Sequence, residues 1–284
     1  MTKPRRSLRA AGVLSSLALV LTGCSAELQR GFLPDASGVT NHTDRIMGLW
    51  NTSWIVLLAV GVIAWGLMAW ALIVYRRRQG ETGIPQQLRY NMPIEALFTS
   101  IPLILVVGFF AFTARDMAAI EAKVENPDVH IEVIAKQWSW DFNYVDENVY
   151  ETGIQAQFTG DEESVMETLP TLYLPVGKSV QIDLTSRDVI HSFWVVEFLY
   201  KKDMFPAQTN VMYFTPLKEG TYVGKCAELC GEYHSMMLFN VEVVSQAEYD
   251  QQMAALAAAG QVGQLSTDYN RNQNLPGGDP EIRG

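Results

Sequence analysis

Two long apolar stretches constrain this chain more than any other feature of its sequence. The first runs from Trp54 to Tyr75 without a charged residue, and the second runs from Ile94 to Ala114 with Glu95 as its one charge. About 20 apolar residues cross the hydrocarbon core of a bilayer as a helix. The sequence therefore predicts transmembrane helices over 54–75 and 94–114, within a helical hairpin at 50–116. Two buried helices of a soluble protein are the alternative.

The loop between these stretches predicts their orientation. It carries four arginines, three of them consecutive at Arg76–Arg78, against one acid, Glu81. Because cytoplasmic loops are enriched in Lys and Arg, this loop is predicted to be cytoplasmic and both ends of the mature chain extracytoplasmic. The whole chain has a formal charge of −10, which argues against a nucleic-acid partner, since phosphate binding needs a basic surface. An acidic exterior favours a basic protein partner or serves solubility alone.

The first 23 residues have the pattern of a signal peptide. Basic residues precede an apolar run from Ala10 to Leu21, which is too short to span a bilayer but suits a signal-peptide core. The run leads into Leu21-Thr22-Gly23-Cys24, which resembles the bacterial lipobox. We therefore expect cleavage before Cys24, lipid attachment to Cys24 at the plasma membrane, and an extracytoplasmic segment over 24–49. Burial of Cys24 or its participation in a disulfide is the alternative.

Beyond Lys123 the pattern changes from helical to strand-like. Residues 129–134 alternate apolar and polar side chains, and aromatic residues continue this period of two as far as Tyr144. Short strands rich in β-branched and aromatic residues predict an antiparallel sandwich or barrel, which we assign to 117–245. The further strand candidates are Thr171–Val176, Ser179–Thr185, Ile190–Val196, Val211–Thr215, Thr221–Lys225 and Met236–Val244.

Two other segments differ from the strands in composition. Residues 145–169 are acidic and contain no basic residue, which predicts a solvated insertion or, secondarily, a docking surface. Ser245 and Glu248 have the spacing of a capping box for an alanine-rich helix that ends before Gly260. Residues 270–284 are polar and rich in Pro and Gly, which predicts a flexible tail. We therefore assign 246–284 to a helix and a tail.

One segment of twelve residues carries donors typical of a metal site. Cys226 and Cys230 supply thiols, His234 an imidazole and Met237 a thioether. Such soft donors with imidazole suit copper better than calcium or magnesium, and a thioether is unusual for zinc. A Cys226–Cys230 disulfide and a core position for the methionines are the alternatives. The combined spacing favours a metal.

A complete donor set needs a second histidine. His42 precedes the first apolar stretch and His130 begins the first strand, so both are interpreted as surface or structural residues. His191 lies at a predicted turn-to-strand junction, where a sandwich can bring it beside the Cys226–Met237 loop. His191 is therefore the candidate for the second imidazole ligand.

From about Thr43 to Val244, the chain resembles subunit II of the haem-copper cytochrome c oxidases. The Cys226–Met237 loop resembles the binuclear copper motif of that family, and residues 188–193 resemble the segment that supplies its other histidine. Residues 137–140 are similar to its aromatic stretch that receives electrons from cytochrome c. The resemblance implies a membrane-anchored all-β fold class, in which a two-helix transmembrane hairpin is followed by a cupredoxin-like Greek-key β-sandwich.

The resemblance also implies a ligand set for two copper ions, the dinuclear copper A centre. In this set the two cysteines would bridge the coppers as thiolates, each histidine would bind one copper, and a thioether and a backbone carbonyl would complete the two coordination spheres. The implied ligands are His191, Cys226, Glu228 through its carbonyl, Cys230, His234 and Met237.

Three further roles follow from the same resemblance. The Glu228 carboxylate would bind a magnesium ion shared with the catalytic subunit. Trp138 would receive the electron from cytochrome c, with a core aromatic as the alternative. Glu95 would stand at the mouth of a proton pathway, although a carboxylate near a membrane end can also simply extend to the headgroups.

The function implied is electron transfer within a respiratory terminal oxidase. Electrons would pass from cytochrome c, either separate or membrane-tethered, to haem in catalytic subunit I, where oxygen is reduced to water and protons are pumped. Other oxidase subunits and a larger supercomplex are further expected partners, and this chain alone would reduce no oxygen. A quinol-oxidase subunit lacks the ligand set, and a copper-delivery protein would need an exposed site. The acidic stretch at 145–169 is unusual for the family and is predicted to shape docking of a dedicated cytochrome.

Overall fold

The structure is a computed structural model that describes residues 25–85, 87–156 and 162–267. The predicted signal peptide, Cys24 and the tail at 270–284 lie outside the described residues. The described chain divides into two compact units, one of residues 25–33 and 47–117 and one of residues 34–46 and 118–267. The first unit is helical and the second is a β-sandwich.

The helical unit is built on two long helices. A short helix, α1 (Ala26–Gln29), precedes α2 (Thr43–Val74) and α3 (Met92–Ile120). Both long helices have the length and apolar composition to cross a membrane. Their apolar side chains are exposed along their length, and so large an apolar surface needs lipid or a partner to cover it. The two predicted helices are therefore present, and each is longer than its predicted span.

The start of α3 gives a chemical reason for the four-residue separation of Asn91 and Glu95. Asn91 Oδ1 accepts a hydrogen bond from the Ile94 amide at 3.3 Å, and Glu95 Oε1 accepts one from the Asn91 amide at 3.1 Å. This reciprocal pair is a capping box, which satisfies backbone N–H groups that a helix terminus leaves without partners. Glu95 thus has a structural use at this helix terminus.

The β unit contains ten strands in two five-stranded sheets. The first sheet is formed by β1 (Val129–Lys136), β2 (Ser139–Tyr144), β3 (Val149–Thr152), β5 (Val180–Ser186) and β8 (Asn210–Phe214), in the order β3-β2-β1-β5-β8. The second is formed by β4 (Thr171–Pro175), β6 (His191–Val195), β7 (Tyr200–Met204), β9 (Gly220–Cys226) and β10 (Leu238–Val244), in the order β4-β10-β9-β6-β7. Helices α4 (Glu162–Glu167) and α5 (Gln246–Ala258) complete the unit.

Aromatic side chains fill the space between the sheets near the metal-ligand candidates. The Trp140 and Phe239 ring centroids lie 5.0 Å apart, and Phe193 stacks on Phe239 at 5.1 Å. A Cβ added at Gly224 would lie 2.0 Å from the Phe239 ring, so only glycine permits this approach of β9 to the ring. The packed rings support the end of β9 at Cys226, where the candidate loop begins.

The predicted sandwich is confirmed, but a purely antiparallel arrangement is wrong. β1 pairs with β5 in parallel, and β4 pairs with β10 in parallel. Parallel neighbours need a crossover connection, and here the chain passes through other strands before it returns to the same sheet. The expected continuous run from residue 129 to 144 is also two strands, because the chain reverses between Lys136 and Ser139 and the two strands pair antiparallel.

Part of the acidic stretch at 145–169 is built into the sandwich, in contrast to the predicted solvated insertion. Residues 149–152 form β3 and pair with β2, with Val149 and Tyr150 buried. In α4 and the turn after it, Val165 and Leu169 are also buried. Neither β3 nor β7 was predicted, because both are short strands at sheet edges, where charged residues such as Glu151 are common and alternation is weak.

The end of the described chain is partly as predicted. Ser245 Oγ accepts a hydrogen bond from the Glu248 amide at 3.3 Å, and α5 ends at Ala258, so the predicted capped helix is confirmed. Residues 261–266 then return to the first sheet, where the Tyr150 amide donates to the Gln261 carbonyl at 3.1 Å. The assignment of 246–284 to a helix and a flexible tail missed this returning segment.

Candidate metal centre

Strand register brings the candidate ligands together. β6 and β9 are antiparallel neighbours in which Phe193 is opposite Cys226. His191, two residues before Phe193, therefore lies beside the chain that leaves β9 after Cys226. The Ala227 amide donates to the Ser192 carbonyl at 3.0 Å, and the Cys226 amide donates to the Met237 carbonyl at 3.0 Å. These bonds close the Cys226–Met237 loop against the first residues of β6.

The donor atoms of the predicted ligands form a connected group. Among the described residues, His191, Cys226 and Cys230 are a set whose possible ligand atoms all lie within 4.8 Å of one another. Cys226 Sγ lies 3.8 Å from His191 Nδ1, 3.8 Å from Cys230 Sγ and 3.1 Å from the Glu228 carbonyl oxygen. Cys230 Sγ lies 3.5 Å from His234 Nδ1 and 3.7 Å from Met237 Sδ. Each thiol therefore contacts a different histidine, and the two thiols contact each other at the middle of the group.

The two cysteines are free thiols and not a disulfide. Their separation of 3.8 Å is far longer than the S–S bond of about 2.05 Å. Both are buried, as are His191 and Met237. Two thiols, two imidazoles and a thioether in such contact fit a thiophilic metal such as copper and leave no role for a hard cation at the sulfur atoms.

The two thiols have opposite pKa shifts because they contact each other. Hydrogen bonds with Cys230 and with His191 lower the pKa of Cys226 to about 3, against the opposing effect of burial. The same contact with Cys226, reinforced by burial, raises the pKa of Cys230. The pair therefore shares one negative charge readily, whereas two adjacent thiolates need a nearby positive charge, which a bound metal supplies.

Asp188 orients the first histidine. His191 Nε2 donates to Asp188 Oδ1 at 2.8 Å, so Nδ1 is the ring atom that faces Cys226. Burial by itself would lower the pKa of His191, but the bonds to Asp188 and Cys226 raise it. A carboxylate that holds the second ring nitrogen is the usual partner of a metal-ligating histidine. Sequence reasoning missed this role, although an acid three residues before the candidate ligand was a usable signal.

Gln137 and Trp138, at the β1–β2 turn, hold the other side of the loop. Gln137 Nε2 donates to the Cys230 carbonyl at 2.7 Å, and Trp138 Nε1 donates to the same carbonyl at 3.2 Å. The Gln137 amide also donates to Asp188 Oδ2 at 2.7 Å. The turn therefore contacts both the Cys230 backbone and the carboxylate that orients His191.

Trp138 contacts a second aromatic residue that sequence reasoning missed. Its ring lies edge to face with Tyr233, with centroids 5.0 Å apart. Trp138 is partly buried, whereas Tyr233 is 38% exposed and directly precedes His234. Gly231 permits the approach, because a Cβ there would lie 3.1 Å from the Trp138 ring. Trp138, the predicted electron-receiving residue, thus lies next to the loop and in contact with the exposed Tyr233.

The remaining predicted residues lie in different settings. The Glu228 carbonyl faces Cys226, while the residue itself is exposed. Glu95 belongs to the helical unit, in the capping box already described. His42 and His130 are structural, since His42 Nε2 bonds to the Tyr213 carbonyl and His130 Nε2 bonds to Asp183, each at 2.9 Å.

A sandwich that carries a Cys-Cys-His-His-Met donor set after a pair of membrane-length helices defines a membrane-attached protein with a candidate metal site in its β unit. The chain matches the family model for the periplasmic domain of cytochrome c oxidase subunit II over residues 129–244. It is 42% identical to the probable cytochrome c oxidase subunit 2 of Streptomyces avermitilis, over 95% of both chains. It is 32% identical to cytochrome c oxidase subunit 2 of Mycobacterium tuberculosis, over 86% of this chain and 80% of that one. The chain belongs to the cytochrome c oxidase subunit II family.

Two solved structures are also similar. The periplasmic domain of subunit II of cytochrome oxidase from Bradyrhizobium japonicum matches with a TM-score of 0.43 and 26% identity, over 48% of this chain and 99% of that one. A mixed disulfide between a thioredoxin-like protein and a subunit II domain matches with a TM-score of 0.42 and 27% identity, over 49% of this chain and 98% of that one. Family membership confirms the resemblance seen in the sequence and makes this chain a membrane subunit of a cytochrome oxidase.

Proposed function

We propose that this chain is the electron-transfer subunit of its oxidase. It would accept electrons from cytochrome c at a dinuclear copper centre and pass them to haem in the catalytic subunit, where oxygen is reduced to water and protons are pumped. The observation that carries the proposal is the connected set of donor atoms, in which each buried thiol contacts the other thiol and one imidazole.

Six residues of this chain would supply the ligands of the metals. Two copper ions would be held by the thiolates of Cys226 and Cys230, the imidazoles of His191 and His234, the Met237 thioether and the Glu228 carbonyl. When bound, such a copper pair supplies a site that takes up and releases one electron. The chain's own contribution is rigidity, because backbone hydrogen bonds close the loop on β6 and the Gln137 and Trp138 side chains bind it to the β1–β2 turn, so its ligands need not move when the charge changes.

Burial of the donors favours electron transfer over copper delivery. His191, Cys226, Cys230 and Met237 are all buried, whereas a delivery protein must exchange its metal with a partner through an accessible site. The outer edge of the centre is different, since Tyr233 is exposed and contacts Trp138. This edge is where we propose that the cytochrome donates its electron, with Trp138 as the receiving side chain.

The test is copper electron paramagnetic resonance on the full chain in detergent, loaded with copper and oxidised. We expect a hyperfine pattern from one unpaired electron shared over two copper nuclei, and the Cys230→Ser variant should lose it. A pattern from a single copper nucleus in the unaltered chain would contradict the dinuclear centre, and an absence of bound copper would contradict the function.

Four further assignments belong to the same proposal. The exposed Glu228 carboxylate would bind a magnesium ion shared with the catalytic subunit, and Glu95 would serve a proton pathway in addition to its capping role. Cys24 would carry the lipid anchor, with the β unit on the extracytoplasmic side of the plasma membrane. Mass spectrometry of the mature N-terminus tests the anchor, and an unmodified Cys24 would contradict it.

The acidic stretch would contribute to docking of a dedicated, membrane-tethered cytochrome, within a larger respiratory assembly. Asp161, Glu162 and Glu163 are consecutive acids in this stretch, and opposite charges speed association most at low salt. Replacing the three by their amides should raise the KM for a basic cytochrome c at low ionic strength and have less effect at high ionic strength. An unchanged KM at both would contradict this role.

A further inference from the structure

The segment after α5 crosses the outward face of the first sheet, opposite the aromatic core. We call residues 261–266 the C-terminal strap. The Gly263 amide donates to the Asn148 carbonyl at 2.9 Å. Asn143 then binds the backbone of Leu265 twice, since its Oδ1 accepts from the Leu265 amide at 2.8 Å and its Nδ2 donates to the Leu265 carbonyl at 3.1 Å. The strap is thus held by side-chain and backbone bonds along its length.

Leu265 gives the strap an apolar anchor. It packs with Ile134 of β1 and Tyr150 of β3 in a small buried cluster that is separate from the main core. Leu265 and Ile134 are fully buried. Burying such side chains is favourable because apolar surface is removed from water. The outward face of this sheet is therefore a second, covered layer and not a solvated surface.

Next to this anchor lies a cluster of buried charges. Lys136 Nζ donates to Asp141 Oδ1 at 2.6 Å, and Arg187 donates to Asp141 Oδ2 at 3.3 Å. Thr152 Oγ1 donates to Asp141 Oδ1 at 2.7 Å. The side chains of Lys136 and Asp141 are 0% exposed and that of Arg187 is 1% exposed. These three side chains form one buried cluster of ion pairs and hydrogen bonds.

The strap closes this cluster, because Arg187 also donates to the Ser266 carbonyl. Breaking a buried ion pair is costly only while water is excluded, since hydration supplies the missing partners. Through this bond the strap contacts the cluster on the outward face, where it helps to exclude water.

Both cations of the cluster are one residue away from a group that holds the metal centre. Lys136 precedes Gln137, whose side chain binds the Cys230 carbonyl. Arg187 precedes Asp188, which orients His191. Hydrogen bonds join these two segments of the chain, since the Arg187 amide donates to the Ala135 carbonyl at 3.0 Å and the Gln137 amide donates to Asp188.

We propose that the C-terminal strap is a positioning element of the metal centre, which seals the Lys136–Asp141–Arg187 cluster and thereby holds Gln137 and Asp188 in place. The inference rests on the proposed function, because Gln137 and Asp188 would support the ligands of its metal centre. The strap therefore orders the ligand supports, and metal affinity depends on that order.

Two truncations of the full chain in detergent test the proposal. One ends at Gly260 and lacks the strap, and the other ends at Thr267 and keeps it as the matched control. In the metal-free proteins, we expect amide hydrogen exchange at Gln137 and Arg187 to be at least tenfold faster without the strap and unchanged in the control. In the copper-loaded proteins, copper affinity measured by competition with a chelator should fall severalfold only when the strap is absent.

Point variants keep the proposal testable if the shorter truncation fails to fold. Leu265→Ala removes the anchor, whereas Val262→Ala alters a strap side chain that is 48% exposed. We expect Leu265→Ala to reproduce both effects in weaker form and Val262→Ala to produce neither. Exchange at Gln137 and Arg187 that stays unchanged in Leu265→Ala would overturn the strap proposal. Failure of the unaltered chain to bind copper would instead overturn the proposed function, because the exchange experiment needs no metal.

Discussion

The two halves of the candidate metal centre are built differently. The inner half, His191 and Cys226, is buried, and a carboxylate orients its imidazole. The outer half, Cys230 and His234, lies beside Trp138 and the exposed ring of Tyr233, and His234 is only partly buried. The inner half has its geometry enforced by packing and charge, while the outer half keeps access to the surface. An electron-transfer site needs both, because rigid ligands keep rearrangement small and an exposed edge admits the donor.

Removing each histidine in turn should show the difference between the two halves most strongly. His191→Ala deletes a candidate ligand and removes one of the hydrogen-bond donors to the buried Asp188 carboxylate, which costs about 1–3 kcal/mol in the free energy of unfolding. His234→Ala removes a partly exposed side chain and should lower the free energy of unfolding by less than about 1 kcal/mol. We expect His191→Ala to abolish the dinuclear copper spectrum and His234→Ala to alter it while copper is retained. Chemical denaturation and electron paramagnetic resonance measure both, and equal losses in the two variants would contradict the asymmetry.

Neutralising Asp188 should weaken the inner half without deleting a ligand. Asp188→Asn cannot hold His191 Nε2 as a charged acceptor, and loss of such a partner typically lowers metal affinity by about 10- to 100-fold. Copper affinity by competition with a chelator is the measurement. Asp183→Asn is the matched control, because Asp183 binds His130 in the same way away from the centre, and it should leave copper affinity unchanged. A similar loss in the control would mean that the effect is one of general stability.

Changing the aromatic pair should affect only the outer half. In the assembled oxidase, Trp138→Leu should slow electron transfer from cytochrome c by about tenfold or more, equivalent to about 1.4 kcal/mol in activation free energy. Tyr233→Leu should slow it by a smaller factor, and Tyr233→Phe should remain close to the unaltered rate because the ring contact is kept. Stopped-flow oxidation of cytochrome c gives the rates. An altered copper spectrum in Trp138→Leu would show that the residue positions the centre instead.

A carboxylate away from the centre is predicted to affect stability alone, and its pKa shift is opposite to that of Asp188. Burial raises the pKa of Glu151 to about 7, with the Asp141 charge also raising it, whereas the bonds to His191 and Gln137 lower the pKa of Asp188 against the effect of burial. Below about pH 4.5, Glu151 is protonated in both the folded and the unfolded chain. Between about pH 4.5 and 7 the unfolded chain releases this proton first, so stability falls as pH rises, and above 7 the loss is complete.

Glu151→Gln should remove this part of the pH dependence. Relative to the unaltered chain, the variant should gain on the order of 1–2 kcal/mol at pH 8 and nothing at pH 4. Urea unfolding at the two pH values, with the copper state held constant, measures the difference. A gain of equal size at both values would show that the benefit comes from packing and not from the titration of Glu151.

Local sequence was enough to predict much of this protein. The two apolar stretches predicted the helices because length and hydropathy are local properties, and the Ser245–Glu248 spacing predicted a capped helix for the same reason. The Cys226–Met237 loop holds four donor residues within twelve positions, so its chemistry could be interpreted before any contact was known. Edge strands β3 and β7 were missed, since their stability comes from pairing with a neighbour rather than from an apolar pattern.

Contacts between residues distant in sequence could be known only from the tertiary structure. Asp188 and Gln137 are 51 residues apart, yet their bond joins the support of His191 to that of Cys230. Lys136, Asp141 and Arg187 would be interpreted from sequence as surface charges, but in the structure they form a buried cluster that the strap contacts at Ser266. The donor types and the membrane-length helices could be predicted from the sequence alone, because both depend on residue type and spacing. Which half of the centre is rigid and which is open was decided by the sandwich, because burial and hydrogen-bond partners exist only once strands and strap have packed together.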